Sequence, residues 1–171
     1  MTSEAERALE LIGRAIRMAG YTNIKYTNTN RGKRSRDLAI EVQKKSGYRG
    51  SDALVVRHEL STGLDFDCIG NPLTADRTKN QLAYQGFMVD RQAGVPKGMK
   101  SNGGSLICQS LDRHGRIQNT TLMNGVHTLS VEELGALPAF GQRAFKVRLE
   151  MTDGLKLHRE FERTFVTRNL M

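Results

Sequence analysis

Four cations fall within six residues at Arg31-Gly32-Lys33-Arg34-Ser35-Arg36, directly after the polar stretch Tyr26-Thr27-Asn28-Thr29-Asn30. Like charges spaced this closely repel one another, so the run costs stability unless an anion or an acidic partner neutralises it. Gly32 and Ser35 let the chain conform to a phosphate backbone, and the Asn and Thr side chains add neutral donors. Tyr26 and Tyr48 could stack on bases. The basic density continues through Lys44, Lys45 and Arg49. The chemistry these residues suit is contact with the phosphates of a polyanion. The bland alternative is a solvated loop that is merely basic, since short basic runs are an unspecific signal.

A second basic loop, Gly94-Val95-Pro96-Lys97-Gly98-Met99-Lys100-Ser101, has the composition of a phosphate-binding loop but not its spacing. That motif needs four residues between its glycines, then Gly-Lys-Ser/Thr opening a helix. Three residues separate Gly94 from Gly98, Met99 intrudes before Lys100, and Asn102-Gly103-Gly104 opposes a helix. Lys97 and Lys100 therefore read as a second clamp for an anion rather than as a nucleotide-hydrolysing site.

Asp65 and Asp67 lie two apart in an alternating segment, so a strand would project both carboxylates from one face and could hold Mg²⁺. A metal-dependent nuclease built on strands would place a Lys two residues after a Glu. Here Gln43 follows Glu41 and Ser61 follows Glu59. The expected role of both Asp residues is solvent-side charge. Cys68 and Cys108 are the only cysteines and sit in apolar alternating segments, so a reduced pair of small core residues is expected. The four histidines (His58, His114, His127, His158) match no metal-ligand spacing with them, so no metal site and no cofactor is expected.

The elements that must position these groups follow from hydrophobic periodicity. Ser3 and Glu6 make a capping box for a helix over 4–19. Its apolar face is Ala5, Ala8, Leu9, Ile12, Ala15, Ile16 and Ala19, Glu10 and Arg14 are spaced for an i,i+4 pair, and Gly20 is the stop. Leu38, Ile40 and Val42 alternate as a half-buried strand, 53–60 reads as a central strand, and 64–68 as another. Asn71-Pro72 predicts the start of a helix over roughly 72–85, and Phe87 to Arg91 a short strand.

The last third predicts two hairpins around a short helix, which Ser130 and Glu133 would cap and Pro138 would end. A three-residue loop Arg113-His114-Gly115 would pair Leu111 with Ile117. Another at Thr152-Asp153-Gly154 would pair Met151 with Leu155, Leu149 with Leu157 and Phe145 with Phe161, with Gly154 left-handed. Lys146, Arg148, Lys156, Arg159 and Arg163 would stand on the exposed face of this hairpin, interleaved with Glu150, Glu160 and Glu162.

The fold class is α+β: an N-terminal amphipathic helix plus a mainly antiparallel sheet with C-terminal β-hairpins. Residues 1–171 form a single domain, with 92–104 a hinge or mobile loop dividing 1–91 from 105–171. The chain carries 26 Lys and Arg against 18 Asp and Glu, net +8. The excess is blocky: residues 31–57 are net +5, 58–90 net −3, 91–116 net +4 and 143–171 net +3. Blocks can build a one-sided field. With its acidic start no secretory or organellar leader is expected, and no run reaches the length of a membrane span. The expected location is cytoplasmic or within a virus particle, not secreted and not at a membrane.

Three functions from different classes fit. The leading one is a non-enzymatic domain binding RNA or DNA through Arg31, Lys33, Arg34, Arg36, Lys44, Lys45, Arg49, Lys97 and Lys100. The second is a self-associating structural subunit of a larger particle such as a virus or phage component. The third is a divalent-metal nuclease using Asp65 and Asp67.

Overall fold

The computed structural model describes residues 2–22, 39–100, 102–137 and 141–168. Among them is one α-helix, α1 (Thr2–Met18), and seven strands in an all-antiparallel meander of order β1-β2-β3-β4-β5-β6-β7. These are β1 (Ile40–Gln43), β2 (Ala53–His58), β3 (Ala83–Arg91), β4 (Gly104–Leu111), β5 (Ile117–Leu137), β6 (Gln142–Thr152) and β7 (His158–Val166). No described helix is long and apolar enough to cross a membrane.

The helix behaves as its periodicity requires. Ala5, Ala8, Leu9, Ile12, Ala15, Ile16 and Ala19 are all buried, packed against inward side chains of the sheet such as Leu54, Phe87, Leu129, Val147 and Phe165. Small residues let the helix lie close: a Cβ on Gly13 would collide with the Phe165 ring. Two details differ from expectation. The helix begins at Thr2, so Ser3 lies within its first turn. Glu10 pairs with Arg17 at 3.1 Å instead of Arg14, whose guanidinium reaches the Asp67 carbonyl at 3.2 Å.

The predicted helix over 72–85 is absent. Only a single 3₁₀ turn, Ala75–Arg77, forms there, and Ala83 already begins β3. Arg77 decides this locally: its buried guanidinium donates to the Leu111 and Pro72 carbonyls and to Asp67, pinning the segment as a loop. The predicted strand over 64–68 is also a loop, joined to its neighbours by one bridge between Phe66 and Pro72. Cys68 and Cys108 are joined as a disulfide, with Cα atoms 6.1 Å apart, correcting the expected pair of free thiols. It ties this loop to β4.

The expected helix after Ser130 is strand. β5 runs on to Leu137, with Leu129 opposite Leu149 and Val131 opposite Val147, all four buried. The capping signature is overruled by tertiary bonds, because the β1–β2 loop supplies partners for this stretch. The Asp52 N–H donates to the Leu129 carbonyl, and the Asp52 carboxylate accepts from the Val131 N–H.

Of the two hairpin loops, 113–115 pairs Leu111 with Ile117 as predicted, and Gly115 is left-handed. The other lies two residues further along the chain than expected. Thr152 pairs with His158, Met151 with Arg159, Leu149 with Phe161 and Phe145 with Phe165, and the Asp153 N–H donates to the Leu157 carbonyl as that of Asp112 does to Arg116, so the loop is 154–156 instead of 152–154. Gly154 is left-handed as expected. Asp153 stabilises the displaced turn by accepting from the N–H groups of Leu155 and Leu157. The slip of four residues is even, so the same faces still meet. Residues 92–103 join β3 to β4, which pair continuously from Gly86–Gln109 to Arg91–Gly104.

Candidate functional site

β5 changes partner at its middle: residues 117–126 pair with β4 and 126–137 with β6. Two extra residues make the change. Gly125, left-handed at φ 76°, is the surplus residue against β4, and His127 is the surplus residue against β6. Such bulges bend a strand and re-aim a side chain.

Three loops gather at this bend. The β1–β2 loop reaches the start of β4, where the Tyr48 ring edge abuts Gly104, so that a Cβ there would stand 3.0 Å from it. Gly103 packs on the carbonyl of Val126, and Gly154 of the β6–β7 turn packs on Asn102. The Arg49 guanidinium lies 3.0 Å from His127 Nδ1, and the His127 and His158 rings meet edge to face at 4.6 Å.

Sequence-predicted residues divide here. Lys45 and Arg49 are exposed on the β1–β2 loop, and Lys97 and Lys100 on the β3–β4 loop. Lys44 is already committed: its ammonium donates to Asp52 at 2.9 Å and to the Val131 carbonyl at 2.6 Å. Burial raises the Asp52 pKa, but bonds from the N–H groups of Val131 and Lys45 and from Lys44 outweigh it and hold the carboxyl below its ordinary range. The Tyr48 face is covered by Arg49, 5.3 Å from the ring centre. Arg31, Lys33, Arg34 and Arg36, with Tyr26, lie outside the described residues.

The structure does not assemble the acidic pair. Asp67 is fully buried, bonded to Arg77 at 2.8 Å and accepting from the N–H groups of Ile69 and Asn71. Asp65 accepts from the Ser61 hydroxyl and N–H instead. On the last hairpin, Arg148 pairs with Glu160 and Glu162, and Arg163 with Glu6 of the helix. Those cations knit the surface rather than project from it.

One cluster has no precursor in the sequence reading. His127, Glu150 and His158 each bring a potential ligand atom within 4.8 Å of the others. His158 Nδ1 lies 2.8 Å from Glu150 Oε1, and the Thr128 hydroxyl donates to Glu150 Oε2 at 3.2 Å. Burial raises the Glu150 pKa, yet the bonds to His158 and Thr128 and the nearby His127 leave it lowered overall. Two imidazoles and a carboxylate could hold a metal ion. These residues stand 23 and 8 positions apart, and only strand register joins them. Asp67, Arg77 and the buried His58 are likewise illegible as partners from spacing.

Separately, a cleft of about 450 Å³ opens between α1 and the first half of β5, lined by Arg7, Leu11, Arg14, Cys68, Leu122 and Met123 among others. It contains none of the predicted basic residues. No family model, curated protein or solved structure matches this chain.

Proposed function

We propose that the protein is a non-enzymatic binding domain for a nucleic-acid backbone, held at the bend of β5 by Lys45, Arg49, Lys97 and Lys100. The observation that supports this reading is that Tyr48, beside Arg49 in the β1–β2 loop, packs on Gly104, where the chain leaves the second basic loop and enters β4. Each loop alone is an ordinary surface loop, but together they focus positive field on one end of the sheet. The Arg31–Arg36 run joins the reading on its sequence alone. Affinity comes from release of counterions, so binding is steeply salt-dependent and tolerant of sequence.

The test is fluorescence anisotropy with labelled single-stranded and duplex oligonucleotides at two salt concentrations. One variant replaces Lys45, Arg49, Lys97 and Lys100 by Ala, another replaces Arg31, Lys33, Arg34 and Arg36. Removing a cation that neutralises one phosphate flattens the log–log salt slope by about 0.7 to 0.9. Absence of binding at low salt, or binding that both variants retain in full, sinks the reading.

A second reading, a subunit that self-assembles, draws on the 59–82 loop, where Leu64 (66 % exposed), Phe66 (42 %) and Ile69 (36 %) face solvent within a few residues. Exposed apolar groups in proximity favour contact with another chain. Light scattering decides it: a monomer across micromolar concentrations counts against assembly, a ring or filament in its favour.

A further inference from the structure

We propose that His127, Glu150 and His158 form a binding site for a borderline divalent transition ion of the zinc type, with solvent completing its coordination. This does not rest on the nucleic-acid reading.

The site is built by the backbone, not by chance proximity of long side chains. Glu150 lies on β6 and His158 opens β7 opposite Thr152, two residues from Glu150, so pleating puts both on one face as diagonal neighbours. Regular alternation along β5 would put His127 on the face opposite Thr128. The bulge between the Val126–Met151 and Thr128–Glu150 pairs removes that constraint and turns its ring against His158. Three adjacent strands thus each deliver one donor.

The distances suit a cation of this class. Metal–ligand lengths near 2.0–2.1 Å in a tetrahedral shell put ligand atoms about 3.3 Å apart. The donors lie within 4.8 Å, and Glu150 and His158 are already at 2.8 Å. Because all three side chains are exposed or half-buried, small rotations close the remainder. Thr128 bonds one carboxylate oxygen and so orients the other, as an outer partner of a metal ligand does. Two imidazole nitrogens disfavour Mg²⁺ and Ca²⁺, which take oxygen, and favour Zn²⁺ and its neighbours in the transition series. Solvent access leaves at least one coordination position exchangeable.

Arg49 acts against the ion. Its guanidinium donates to His127 Nδ1 and sets a positive charge beside the cluster. It must withdraw from that nitrogen, or yield to the ion's field, when the metal enters. Arg49 therefore has opposite effects on the two ligands proposed for this end of the sheet, which separates the two proposals experimentally.

The test is calorimetric titration of the full chain with Zn²⁺ in the absence of nucleic acid, together with the visible spectrum of added Co²⁺. The wild type should bind one equivalent and show the intense bands of a low-coordinate Co²⁺ centre. Since loss of an outer partner alone costs ten- to a hundredfold, the double variant His127→Ala/His158→Ala should lose about a hundredfold or more. Glu150→Gln should weaken binding, and Arg49→Gln should tighten it about three- to tenfold while weakening any binding of oligonucleotides. His114→Ala, on the β4–β5 turn, should change nothing. Histidine-ring NMR of the wild type during the titration guards against a misfolded variant: shifts should be confined to His127 and His158. Equal Zn²⁺ affinity in the wild type and the double variant, or shifts centred on His114, overturns the proposal.

Discussion

The two ends of the sheet both hold carboxylates beside cations, and they use them in opposite ways. At the end formed by the 59–82 loop, Asp67 is fully buried and its partner Arg77 is 9 % exposed; every arm of that guanidinium is bonded, and the disulfide closes over the same loop. At the bend of β5, Glu150, His127, His158 and Arg49 lie at the surface, with partners that can be exchanged. A buried charge pair loses several kcal/mol when one member is removed, because the other is left desolvated, whereas an exposed pair is worth little. Permanence therefore belongs to one end and exchange to the other. Binding chemistry belongs where the charges can change partners without unfolding the chain.

The sharpest way to break this contrast is Arg77→Leu, which should cost about 3–5 kcal/mol in urea denaturation by stranding Asp67. A loss below about 1 kcal/mol would show that the pair is solvated and the contrast false. Next comes the disulfide. Cys68→Ala/Cys108→Ala, or reduction of the wild type, should lower stability by about 2–4 kcal/mol, given the 40-residue separation. An unchanged melting temperature under reductant would mean the 59–82 loop is held by Arg77 alone.

His58 sharpens the comparison through pH. It is 1 % exposed, donates through Nδ1 to the Glu59 carbonyl and accepts at Nε2 from Gln85. Burial lowers its pKa below the ordinary value; the Glu59 bond and the nearby Asp65 oppose this only in part. In the unfolded chain His58 takes up a proton near pH 6.5 while the folded form stays neutral, so the unfolded state binds more protons. Stability is thus present above about pH 6.5 and is lost as pH falls toward the lowered folded value, by up to about 1.4 kcal/mol per pH unit. Melting curves at pH 7, 6 and 5 check this, and His58→Gln should flatten the slope. The smallest effect is expected at the bend: Glu150→Gln should shift stability by less than about 1 kcal/mol. A large loss there would mean that the surface cluster is structural after all.

Much of the scaffold is legible from local pattern. The helix face can be read residue for residue because an amphipathic stripe of 3.6 periodicity has one way to bury itself. The Arg113-His114-Gly115 turn is equally readable, its register set by loop length and a left-handed glycine. The site is legible only as two basic loops. The histidines look scattered because sequence spacing along strands carries no information about neighbours on other strands.

What the sequence alone determined, then, is the identity of the buried stripe, the position of the Arg113-His114-Gly115 turn and the uneven distribution of charge. These depend on neighbours a few residues apart. Tertiary structure decided the rest. Asp52 bonding across to β5 turned a capped helix signal into strand, and Arg77 turned another into a loop. One surplus residue at His127 brought two imidazoles and a carboxylate together. In the first two the physical reason is that a backbone N–H or a buried charge must be satisfied by whichever partner the whole fold brings near, and in the third that strand register sets which side chains are neighbours.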